Sequence, residues 1–139
     1  MEINTKNCKL LIAILTLCVS NLTAQTIGDH LNFIRQEEPG GKFDYKAEGG
    51  STYKYMDAKT ETMWLYFLNV DLECIAIAAH PSKPIVLQAM IEQLNHEWVI
   101  VDVKHWLFYK NDGSIIAAEL DNIDNVGSVI YISEAKSSN

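Results

Sequence analysis

Four histidines, Cys74 and the acidic stretch Asp121–Gly127 are the side chains of this 139-residue chain best suited to chemistry. A zinc protease needs two histidines one helical turn apart with a glutamate beside the first. His96-Glu97 opens that pattern, but Ile100 stands where the second histidine belongs. No two of His30, His80, His96 and His105 lie three or four positions apart, so no single helix turn presents a pair to one ion. A twelve-residue calcium loop begun at Asp121 puts Ile123 at its third position, and one begun at Asn122 puts Val126 at its fifth. Neither side chain ligates. Gly-rich phosphate loops, a Gly-x-Ser-x-Gly elbow and paired cysteines are absent from the sequence. The sequence therefore assigns no catalytic residue, metal ligand or cofactor.

Cys74 would need an electropositive neighbour to act as a thiolate. It alternates with Leu72, Ala76 and Ala78, so a buried, inert thiol on an apolar strand face is expected. Glu73, Asp102 and Glu119 could join the histidines as acid–base pairs. That leaves a small hydrolase or lyase as an alternative reading, recognisable by a deep pocket that gathers two or more histidines with the acids.

The elements that must position these groups follow from periodicity and turn signals. Ile27, Leu31 and Ile34 share one helical face, Thr26 is a candidate N-cap and Pro39-Gly40-Gly41 stops the chain, which predicts a helix over 27–37. Pro84 suits a first helical turn, and Leu87, Ile91, Leu94 and Trp98 form a stripe, which predicts a second helix over 84–95. Strand-like runs cover 43–47, 52–56, 63–68, 72–79, 98–101, 105–109, 114–120 and 128–133. Turns fall at Glu48–Ser51, Lys110–Gly113 and Asp121–Gly127. The fold class read from this order is α+β: an antiparallel sheet of six to eight strands with two helices on one face. Trp64–Asn69 aligns with Trp106–Asn111 at an offset of 42, while the helix starts differ by about 57. Either two diverged helix-plus-strands halves or two independent hairpins, each needing a tryptophan for its core, would give this pattern.

The chain opens with Lys6 and Lys9, then the apolar run Leu10–Leu17, then Leu22-Thr23-Ala24. This is the layout of a cleavable signal peptide over 1–24, and the run is far shorter than the roughly 20 residues of a membrane span. The expected mature chain is a single domain over 25–139, exported to the periplasm or the outside, with no membrane span. Cleavage removes Lys6, Lys9 and Glu2 and moves the net charge from −7 to −8. It also removes Cys8 and Cys18, leaving Cys74 without an intramolecular partner. An acidic chain with no basic run excludes nucleic acid and anionic membrane as favoured partners.

Two short helices can cover one sheet face only, yet several strands are apolar on both sides. Met63, Leu65 and Phe67 oppose Trp64, Tyr66 and Leu68, and Leu107 and Tyr109 oppose Trp106 and Phe108. The second face is therefore expected to carry large apolar side chains, with Trp64, Tyr66, Trp106 and Phe108 at its centre as a contact for a protein partner or a second copy. Curling of the sheet, burying them internally, is the competing expectation. Export, small size, acidity and missing chemistry together favour a binding protein such as an inhibitor, an immunity-type protein or an envelope accessory factor. A domain that only homo-oligomerises is the third reading.

Overall fold

Gly28 sets where the first helix can begin. In the computed structural model, which describes residues 24–136, Gly28 has φ +98°, a conformation no right-handed helix contains. The expected leader, with Cys8, Cys18 and its two lysines, lies outside the described residues except for Ala24. The first helix, α1 (Leu31–Glu37), therefore starts four residues later than the pattern suggests, and Thr26 is not its cap. His30 caps it instead: its Nδ1 accepts from the Asn32 N–H at 3.1 Å. Leu31 N–H donates to Leu72 O, which satisfies one of the helix's orphan donors and ties α1 to the sheet. Ile27, Leu31 and Ile34 are all buried, as their spacing implies.

The second helix, α2 (Pro84–Glu97), begins at the proline and runs two residues past the expected end. Val86, Ala89, Met90, Gln93 and Leu94 are its buried side chains. The stripe is centred beside the one read from Leu87 and Ile91, which flank it half-buried. Eight strands follow or precede the helices in chain order. They are β1 (Lys42–Asp44), β2 (Ser51–Asp57), β3 (Thr62–Leu68), β4 (Cys74–Pro81), β5 (Val99–Asp102), β6 (His105–Tyr109), β7 (Ile115–Ile123) and β8 (Gly127–Glu134). Asp121, Asn122 and Ile123 belong to β7, so the loop expected over 121–127 shrinks to a tight turn closed by Val126 N–H on Ile123 O.

All eight strands form one antiparallel sheet in the order β1-β2-β3-β4-β8-β7-β6-β5. Each half is a helix followed by a four-strand meander, and the halves meet at β4 and β8. Leu31 to Pro84, Thr62 to Ile115 and Cys74 to Gly127 each span 53 positions, so the helix and the third and fourth strands repeat at that spacing, while the first strands start 57 and the second strands 54 positions apart. This replaces the offset of 42, which equates a third strand with a second strand. At 53, Tyr53 falls on Trp106. Both are buried in the second strand of their half, and each reaches the end of that half's helix: Tyr53 Oη donates to Glu38 O at 2.6 Å, and Trp106 Nε1 donates to Asn95 Oδ1 at 2.8 Å. Gly41 also donates to Tyr53 Oη at 2.9 Å, and a Cβ at Gly41 would collide with the tyrosine ring.

One sheet face holds the core. Tyr53, Tyr66, Ile77, Ile132, Ala118 and Trp106 are successive cross-strand partners across six strands, and they pack in one cluster with Leu31 and Ile34 of α1 and Val86, Met90 and Leu94 of α2. Both helices therefore lie on that face. A β-bulge interrupts the alternation in β4. Leu68 pairs with Cys74 but Phe67 with Ala76, which turns Cys74 into the core and leaves Ile75 half exposed.

Candidate functional site: the uncovered sheet face

The four aromatic residues expected at the centre of the bare face lie on the other one. Trp64, Tyr66 and Trp106 are 1 %, 3 % and 1 % exposed in the core beneath the helices, and Phe108 packs against Trp98 on the same side, the two rings tilted by 50° with centroids 5.4 Å apart. They are packing residues. The reason is that β3 and β6 are apolar on both alternations, so the pattern alone does not say which set meets the helices. A cue was present in β2, where Tyr53 and Tyr55 alternate with Thr52 and Lys54. Once Tyr53 is paired with Tyr66, the aromatic side of β3 has to be the covered one.

The uncovered face is built by the other alternation. Its central cross-strand row runs Lys42, Lys54, Leu65, Ala78, Tyr131, Glu119, His105, Asp102 from edge to edge. The adjoining row carries Asp44, Thr52, Phe67, Ala76, Ser133, Ala117, Leu107 and Val99. Met56, Met63 and His80 line one end, and Tyr109 and Ile115 the other. Leu65, Phe67, Leu107 and Tyr131 are half-buried by their strand neighbours, while Val99 and Tyr109 are more than half exposed. Both helices serve the opposite core; on this face Ala78 and Val129 are nonetheless buried, 9 % and 5 % exposed. Its charge is uneven: Lys42 and Lys54 outnumber Asp44 on the β1–β2 side, and on the β5–β7 side Asp102 and Glu119 flank His105, with Asp121 two residues further along β7.

His105 is the best-connected titratable group there. Its Nδ1 lies 2.8 and 2.9 Å from the two Asp102 carboxylate oxygens, and its Nε2 lies 3.5 Å from Glu119 Oε1. The hydrogen bond to Asp102 holds the imidazole above its ordinary value. The Lys104 N–H and then His105 hold the Asp102 carboxyl below its own. Nδ1 is held by Asp102 and Nε2 lies within ion-pair reach of Glu119, so the group clasps the β5–β6 turn to β7.

The remaining reactive groups stay apart. His30 caps α1, His80 lies in β4 and His96 lies in the last turn of α2. Among the described residues no three histidines, cysteines or acids are grouped to hold a metal ion. Burial pushes the Cys74 thiol up to about 12, and its Sγ donates to Ala76 O at 3.4 Å, so it is not poised for nucleophilic attack. An open cleft of about 470 Å³ beside Cys74 is lined by Asn69, Glu73, Lys110, Asp112 and Glu134 among others, and contains none of the four histidines. No described helix is long and apolar enough to cross a membrane. The chain matches no protein-family model, no characterised protein and no solved structure.

Proposed function

We propose that the mature chain is an exported interaction protein that docks a protein partner on the uncovered sheet face. The observation that carries this reading is an eight-stranded sheet whose second face presents Met63, Leu65, Phe67, Leu107, Tyr109 and Tyr131 while both helices pack on the first. Eight strands about 4.8 Å apart and some six residues tall make a face of roughly 750 Å². That is close to the roughly 800 Å² that one partner contributes to a stable interface. Aromatic and methionine side chains inside a charged rim match the composition of such contacts. The acidic balance favours a protein over a nucleic acid. The leader pattern of residues 1–24 supplies the export half of the proposal. The role is that of a small inhibitor, immunity-type protein or envelope accessory factor.

Two measurements test the proposal. Intact mass of the protein from the producing cell should correspond to a chain starting at or near Gln25, and a mass retaining residues 1–24 refutes export. A photo-crosslinking amino acid placed at Leu65 should give a discrete adduct in the cell envelope, while the same group at Phe33, exposed on α1, should not. Equal labelling from both positions, or none from Leu65, would refute the docking face.

A further inference from the structure

We infer that the leader is cut from this chain before the domain folds, because the fold encloses the bond to be cut. The inference rests on the export reading above and adds the order of events. The leader pattern ends at Ala24, so the bond to break joins the Ala24 carbonyl carbon to the Gln25 nitrogen. Hydrolysis adds water across that bond and leaves a carboxylate on Ala24 and an amine on Gln25. In the folded chain the bond lies in the 3-10 turn Ala24–Thr26. Gln25 is exposed, but Ala24 is 2 % exposed and belongs to the core cluster that holds Ile27, Leu31 and Ile34. The Ala24 carbonyl, the group a peptidase attacks, accepts from Ile27 N–H at 3.3 Å. The residues that follow are fastened to the sheet. Gly28 N–H donates to Cys74 O, Cys74 N–H donates to Asp29 O and Leu31 N–H donates to Leu72 O, each at 2.8 Å.

Proteolysis needs backbone that is exposed and released from its own hydrogen bonds. The attacked carbonyl must also turn to the peptidase's donors, which stabilise the charge that develops on its oxygen. Ala24 meets neither condition while its side chain is in the core and its oxygen is held by Ile27. The bond becomes available only when the segment from Ala24 to Leu31 lifts from the sheet, and cutting then follows the fraction of chains that are open. An unfolded chain needs no such opening. The chain is therefore unfolded when its leader leaves, and a precursor that folds first is a poor substrate.

The test incubates the folded full-length precursor with the producing cell's signal peptidase in detergent micelles and follows cleavage by mass spectrometry. Two comparators share its leader. Trp64→Asp and Trp106→Asp together place two charges in the core and supply an unfolded chain, as circular dichroism checks. A flexible Gly-Ser spacer inserted between Gln25 and Thr26 carries the bond clear of a domain that stays folded. The native precursor should be cut between Ala24 and Gln25 at least about tenfold more slowly than either comparator. A native precursor cut as fast as the unfolded chain overturns the inference and leaves export standing. A spacer chain cut as slowly as the native one also overturns it, since burial of the bond is then not the cause. If the unfolded chain is not cut between Ala24 and Gln25, the leader boundary itself is refuted, and the order of events falls with it.

Discussion

Trp106 and Leu107 are neighbours in β6 on opposite faces, and truncating each to alanine should give very different costs. Trp106 is 1 % exposed, packs in the core cluster and donates from Nε1 to Asn95 Oδ1 at 2.8 Å. Removing such a side chain costs about 3–5 kcal/mol, because the cavity does not fully collapse. For a domain of this size each kcal/mol lowers the thermal midpoint by roughly 3–6 °C, so Trp106→Ala should unfold about 9–30 °C below the native chain. Leu107 is half-buried on the uncovered face, beside Val99 and Ala117. Deleting about three methylene equivalents, half of which are already wet, costs about 1 kcal/mol. Thermal unfolding followed by circular dichroism measures both. Equal destabilisation by the two variants would show that something within the monomer covers Leu107. An unaffected Trp106→Ala would show that the two faces have been assigned the wrong way round.

Three further outcomes follow from the same contacts. Tyr53→Phe removes an oxygen that accepts from Gly41 N–H and donates to Glu38 O, so it should cost about 1–3 kcal/mol in urea unfolding, and an effect near zero would refute the anchoring of the α1–β1 loop. His105 should titrate above the ordinary imidazole value of about 6.5 by NMR, and Asp102→Asn should move its midpoint down. Because the folded value is the raised one, the contribution of His105 to stability is complete below about pH 6.5 and is lost as pH rises through the folded midpoint; a midpoint unmoved by Asp102→Asn refutes the pairing. Cys74 should resist a thiol reagent in the native chain and react at once in denaturant, whereas rapid native labelling would refute its burial.

The elements were legible where local chemistry is decisive. Pro84 opens α2, and Asp112-Gly113, with Gly113 at φ +91°, makes the β6–β7 turn. The face assignment was not local. Thr62–Leu68 buries Trp64 and Tyr66 because Tyr53 and Ile77 flank Tyr66 in the sheet, while Leu65 lies between Lys54 and Ala78 on the other side. Those neighbours are fixed by register, which the alternation of one strand does not contain. The bulge at Ile75 is invisible to alternation for the same reason: the pattern groups Cys74 with Ala76 and Ala78, although it shares its face with Ile77 and Ala79. The tryptophan repeat misled because it matched residue type, whereas the halves repeat by topology, with Tyr53 in the place of Trp106.

Solvent access to the uncovered face in the producing cell tests the docking proposal most directly. Leu65→Cys and Leu107→Cys place a thiol on that face, Phe33→Cys places one on the exposed side of α1, and the buried native Cys74 contributes little background. In dilute purified protein all three should label readily with a soluble maleimide. In the intact envelope the account predicts that the two face positions are protected while the Phe33→Cys thiol still labels. Equal labelling of all three in the envelope would contradict it.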